Sequence, residues 1–284
     1  MFWAFLALGG GFCDALYYAL VKRSIRDMDR YIFAAGIYAI TATVLLSLSV
    51  SRGLPAWSDQ LPPFILITAA IEISATFLYF EALRHTDLSL AIPILSLTPV
   101  FLILTSWFIL GEQTSTGGIA GIGLILIGSF ILFHPRGKTG GLRGVLCNRG
   151  VLAMIGVAFL FSIDANMGKL LIIHSDPFFG TSLFCYVVAL VFLAYAGKRG
   201  GSFPALAPKD TLLILITAGT LAFSVIAINL ALTVQIVPFV ISLKRSSILF
   251  SVLMGWVVFH ESGFLQRFTG ALIMTLGILC ITLS

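Results

Sequence analysis

The chain has 284 residues, 59% of them hydrophobic and only 10% charged, with a mean hydropathy of +1.07. Soluble domains run at about 45–50% apolar and about 25% charged residues, so a cytosolic enzyme or a secreted domain is excluded, and 24 Phe with abundant Leu and Ile exclude disorder. The net charge of +5 fits cytoplasmic loops facing anionic lipid rather than nucleic acid, which leaves a polytopic membrane protein.

A bilayer core of about 30 Å takes roughly 20 apolar residues as a helix. Segments of that length begin near Phe2, Tyr31, Phe64, Leu88, Gly117, Gly150, Phe178, Thr211, Ile236 and Gly263. They predict an all-α integral membrane protein with ten transmembrane helices. Phe2–Val21 has no basic residues before it and several after it, so it reads as a retained helix and not a signal peptide. The connections, such as 22–30, 134–144 and 197–210, are too short for a soluble domain. Thirteen of the 17 Lys and Arg fall on the face shared by loops 1–2, 3–4, 5–6, 7–8 and 9–10, against Arg52 alone on the other. This bias predicts both termini outside the cytoplasm, in a protein expected at the prokaryotic plasma membrane. Cys13, Cys147, Cys185 and Cys280 are scattered, with no CxxC pair and no His at metal spacing. Neither a disulfide framework, a metal site nor a cofactor is expected.

The chain repeats itself. Shifted by 149 residues, the fourth and fifth spans fall on the ninth and tenth: Ala82 meets Ala231, Phe101 meets Phe250, Trp107 meets Trp256 and Glu112 meets Glu261. Gly121 meets Gly270 and Gly128 meets Gly277, a spacing suited to close helix packing. Asp14 and Asp164 correspond at an offset of 150. The expected domains are a first repeat over 1–135, a connecting loop over 136–148 and a second repeat over 149–284. Five spans per copy is odd, so the copies lie inverted, an architecture of secondary transporters with the substrate site between the repeats.

The stretch YFEALRHTDLSLAIPILSLTPVFLILTSWFILGE (79–112) resembles the signature of EamA-type transporters of the drug/metabolite transporter superfamily. Its marks are the Ala-Leu closing the third span, Pro93, the Thr-Pro at 98–99 and the terminal Gly-Glu. The second copy (231–261) keeps the Ala-Leu and the Glu but has Ile248 where the first has Pro99. The resemblance spans the chain as two EamA repeats and implies an exporter or exchanger of small metabolites. Many such relatives are drawn with cytoplasmic termini, the reverse of the charge count here.

Ionisable groups at membrane depth cost about 2.5–3.5 kcal/mol at a helix centre and are functional candidates. Lys244, Ser247, Ser251 and Gly255 form one polar and small stripe, so Lys244 with Ser247 is expected to face a central cavity. Arg245, rotated by about 100°, is expected to pair with a neighbouring helix or reach the membrane surface, and remains a binding candidate. Glu72, Thr76 and Tyr79 share a face of the third span, an acid and a phenol for the same cavity. Gly10, Asp14 and Tyr17 share one in the first. In the sixth, Ser162, Asn166 and Lys169 share one while Asp164 points elsewhere. Glu72, Asp14 and Asp164 are candidates for coupling or gating, with a proton as the coupling ion. Pro93, Pro99 and Pro238 fall inside or at the start of spans and are candidate hinges.

These features predict a secondary transporter that moves an amphoteric or anionic metabolite by alternating access. The expected partners are a small molecule and the bilayer, in a monomer or homodimer. A flippase for lipid or lipid-linked head groups is the alternative, ahead of a non-transporting scaffold. No HExxH, GxSxG or GxxxxGK[ST] is present, so neither an intramembrane enzyme nor a nucleotide-driven pump is expected.

Overall fold

The computed structural model describes residues 2–24, 28–85, 94–132, 149–198, 207–250 and 264–284. Among these residues the chain is all helical, with α1 (Phe2–Ser24), α2 (Arg30–Arg52), α3 (Leu61–His85), α4 (Thr98–Leu110) and α5 (Thr116–Leu132) in the first half. The second half holds α6 (Arg149–Ile173), α7 (Phe179–Lys198), α8 (Pro208–Leu232), α9 (Val237–Lys244) and α10 (Phe264–Leu283). Six of them, α1, α2, α3, α6, α7 and α8, are long and apolar enough to cross a membrane. The helices begin close to the positions read from the hydrophobic runs. The expected start of the fourth at Leu88, the candidate hinge Pro93 and the connecting loop 136–148 lie outside the described residues.

Local chemistry sets the ends. Asp29 caps α2 by accepting from the N–H groups of Tyr31 at 2.9 Å and Ile32 at 3.1 Å. Asp176 opens α7 in the same way, accepting from Phe178 N–H at 2.7 Å and from Phe179 N–H, while Ser49 of α2 donates to it at 2.6 Å. Gly111 closes α4 in the left-handed region (φ 68°), and the N–H groups of Gly111 and Glu112 fold back on Trp107 and Ser106. That turn throws the Glu112 side chain sideways toward α6 and α9.

The helices pair across the halves. α1 packs on α8 and α3 on α6; α9 packs on α1 and α4 on α6; α2 packs on α7 and α5 on α10. Exchanging the halves preserves every one of these pairings. In the α2–α7 seam Tyr31, Tyr38 and Phe192 are buried together, with Phe77 and Tyr195 against them. The α5–α10 seam is built on glycine. A Cβ on Gly121 would stand 2.7 Å from the Gly277 carbonyl, one on Gly277 2.7 Å from the Gly121 carbonyl, and one on Gly128 2.7 Å from the Gly270 carbonyl. The sevenfold glycine spacing seen in the sequence is this backbone contact. Outward faces present Phe5, Leu66, Phe108, Leu190, Phe223 and Leu272, all exposed, as a lipid-facing surface requires.

Irregular turns stand at corresponding places, just before α4 and just after α9. Leu95–Leu97 forms a 3-10 turn just before α4. In the second half α9 ends at Lys244, Arg245 turns, and helical backbone resumes over 246–250. Shifted by 149, Leu95 falls on Lys244 and Leu97 on Ser246. Pro99 and Pro238 lie in the first turns of α4 and α9, where proline's missing N–H has no helical carbonyl to serve. Of the two stated places for these candidate hinges, both prolines take the start of a helix, and the irregular turns lie beside them at 95–97 and at Arg245.

Candidate functional site

One cavity of about 230 Å³ lies between the halves. Its wall takes Asp14 and Tyr17 from α1, Glu72 and Tyr79 from α3, Asp164 from α6, and Lys244 with Arg245 from the broken ninth span. Seven polar residues singled out in the sequence thus meet around one space.

Their bonding differs. Lys244 Nζ stands 3.2 Å from Asp14 Oδ2, and Ser224 of α8 donates to Asp14 Oδ1 at 2.6 Å. Asp14 is buried and fully answered by these two helices. Arg245, also buried, donates through Nη2 to Thr98 Oγ1 at 2.9 Å, while its Nε has no hydrogen-bond partner among the described residues. Thr98 Oγ1 in turn donates to Leu95 O at 2.7 Å, so Arg245 ties one irregular turn to the other. Glu72 accepts a short hydrogen bond from the phenol of Tyr38. Asp164 Oδ1 is enclosed and has no hydrogen-bond partner among the described residues.

Three expectations are corrected. Asn166 is absent from the cavity wall: its Oδ1 accepts from Ser106 at 2.6 Å, and its Nδ2 donates to Thr105 at 3.0 Å and to Ser162 O at 2.8 Å. It bolts α6 to α4. Lys169 is absent from the wall too, since its ammonium lies 2.5 Å from Glu112 Oε1 and donates to Gln235 O at 2.8 Å. Ser247 is buried beside the break rather than on the wall. The face of α6 carrying Ser162, Asn166 and Lys169 turns toward α4, and Asp164, two residues from Ser162 and from Asn166 and so about 160° around the helix, faces the cavity. Periodicity shows which residues share a face but not which neighbour that face meets.

Four contributors were not among the expected site residues. Tyr38 and Ser224 sit in apolar runs with no charged residue at helical spacing to mark their face. Asn229, on the wall, donates to Pro177 O at 2.7 Å and Thr181 Oγ1 at 2.9 Å, tying α8 to α7. Glu112 was read as a span end, yet it joins three helices. Besides holding Lys169, its Oε2 accepts from Val237 N–H at 2.8 Å at the start of α9, where a carboxylate meets the positive end of the helix dipole. Its doubled place in the repeat was the available signal. Among the described residues no three His, Cys, Asp or Glu are grouped to hold a metal ion.

Residues 1–134 match the EamA-like transporter family. That is a family of membrane transporters and not of enzymes. No curated protein matches the chain. A solved structure described as "Crystal structure of protein" is similar with a TM-score of 0.78 at 19% identity, over 98% of this chain and 96% of that one. At that identity the likeness is one of fold.

Proposed function

We propose, from the premise that residues 1–134 form an EamA-like transporter domain, that this multi-pass membrane protein is a secondary transporter of a small amphoteric or anionic metabolite. In this reading the repeats over 1–135 and 149–284 rock against each other about the cavity, and a single chain suffices. The observation that carries it is that both halves contribute charge to one wall: Asp14 and Glu72 from the first, Asp164, Lys244 and Arg245 from the second. Charge kept at membrane depth is expensive and is retained where a solute or ion must be met. Lys244 and Arg245 suit a carboxylate or phosphate, and Glu72 with Tyr38 suits a proton or a cationic group.

The Glu112–Lys169 pair supports a gate. It links α4 of the first half to α6 and the start of α9 of the second, on the membrane face shared with the termini. Breaking it should loosen closure on that face. In protein with Cys185, which lines the cavity, as its sole cysteine, Lys169→Ala should speed labelling by a membrane-impermeant maleimide from that face by roughly tenfold. That factor corresponds to about 1.4 kcal/mol of lost closure. Unchanged labelling would remove the gate.

The transport reading is tested in proteoliposomes with labelled amino acids, sugar phosphates and nucleotide sugars. Saturable flux of at least one, lost in Lys244→Ala and Glu72→Gln protein that still purifies folded, is the expected result. Absence of saturable flux, with lysolipids alone raising the melting temperature, would turn the reading to a flippase. A C-terminal reporter active only in the cytoplasm should stay silent, as termini outside the cytoplasm require.

A further inference from the structure

The two halves differ where they ought to match. Asp14 is held by Ser224 at 2.6 Å and by the ammonium of Lys244 at 3.2 Å. Exchanging the halves carries Asp14 to Asp164, Ser224 to Ala75 and Lys244 to Leu95. The helix pairings around them are carried along, since α8 on α1 corresponds to α3 on α6, and α9 on α1 to the 3-10 turn and α4 on α6. Ala75 and Leu95 are buried and apolar, and Leu95 packs with Met154, Val157 and Ala158 of α6. Asp164 has therefore lost both the hydroxyl and the ammonium that serve its counterpart. Its Oδ1 is enclosed without a hydrogen-bond partner among the described residues, while the residue borders the cavity.

We propose that Asp164 binds the protonated amine of the transported molecule, whose ammonium occupies at Asp164 the place that the Lys244 ammonium occupies at Asp14. This rests on the transport reading and names the cationic end of its substrate. An enclosed carboxylate oxygen without a hydrogen-bond partner is costly, and a charge-assisted N–H···O bond is the strongest simple answer to it. The other charges on the wall favour the assignment. Lys244 is paired with Asp14, Arg245 donates to Thr98 and keeps Nε for an anionic end of the same molecule, and Glu72 adds a second acid. Tyr17 and Tyr79 border the same space, and aromatic faces attract ammonium groups. The 230 Å³ of the cavity suits a small organic amine.

The test uses purified full-length protein and two probes of the same shape, 2-phenylethylamine and 2-phenylethanol. The amine should raise the melting temperature saturably and the alcohol should not. In Asp164→Asn the amine's apparent affinity should fall about tenfold or more, the scale of one charge-assisted bond. A second variant works from the protein side. Leu95→Lys supplies the missing ammonium, so it should abolish amine binding without lowering the melting temperature, and it should melt well below wild type only when combined with Asp164→Asn. Equal shifts by amine and alcohol, equal affinity in Asp164→Asn, or Leu95→Lys indifferent to Asp164 would each overturn the site. Amine binding at Asp164 without flux of any solute in proteoliposomes would sink the transport reading and sustain this one.

Discussion

Lys244→Ala should lower stability by about 3 kcal/mol, and adding Asp14→Asn should return most of that loss. Removing one partner of a buried ion pair costs about 3–5 kcal/mol because the other charge is stranded. The low end applies here, since the Lys244 side chain keeps 25% of its surface exposed while that of Asp14 keeps 4%. Asp14 would retain only Ser224. In the double variant the neutral amide still accepts from Ser224, and no charge is left without an answer. Melting temperatures of the two single variants and the double variant, in one detergent, check this as a double-mutant cycle. Equal melting of Lys244→Ala and wild type would show that the pair contributes nothing to the fold. A double variant no more stable than Lys244→Ala would place the loss elsewhere than in the stranded carboxylate.

Gly277→Ala should be at least as damaging, by a different route. The added methyl would stand 2.7 Å from the Gly121 carbonyl and 2.9 Å from Ile125. These are backbone and helix-stem neighbours that cannot swing aside. Overpacking of this kind costs about 1–3 kcal/mol and occasionally more, and a rigid helix pair puts this site at the upper end. Gly121→Ala and Gly128→Ala should behave alike, because each meets the carbonyl of a facing glycine at the same distance. Gly123→Ala and Gly219→Ala are the controls: a Cβ at either meets nothing within 4 Å, and exchanging a helical Gly for Ala is worth about 1 kcal/mol in favour of alanine. Thermal unfolding of the five variants separates the two groups. If Gly277→Ala melts with Gly123→Ala, the seam is looser than its geometry implies.

Much of the fold was legible because membrane helices announce themselves by length and composition, and a duplicated chain announces its halves. The glycine seam could be read from Gly121, Gly128, Gly270 and Gly277 because small residues seven apart have few other uses in a lipid-facing helix. The cavity was legible in part. Asp14, Tyr17, Glu72, Tyr79 and Lys244 were found as charge or phenol at depth, where cost argues for purpose. Asn166 and Lys169 were misplaced because one helical face can meet a cavity or a neighbouring helix with the same periodicity, and only the packing of α4 against α6 decides which. Tyr38 and Ser224 were invisible since each is completed by a residue far along the chain, Glu72 and Asp14 respectively. Glu112 was noticed as a motif, yet its role depends on how the Gly111 turn aims it.

The contact between α5 and α10 also governs the order of assembly. Gly121 and Gly277 lie 156 residues apart, so α5 is made well before α10. Until then the glycine-lined flank of α5 has no backbone to meet and must wait against lipid or a provisional neighbour. The seam thus closes only once α10 has been made, and a nascent chain halted before α10 would carry an unfinished seam for quality-control proteases to find.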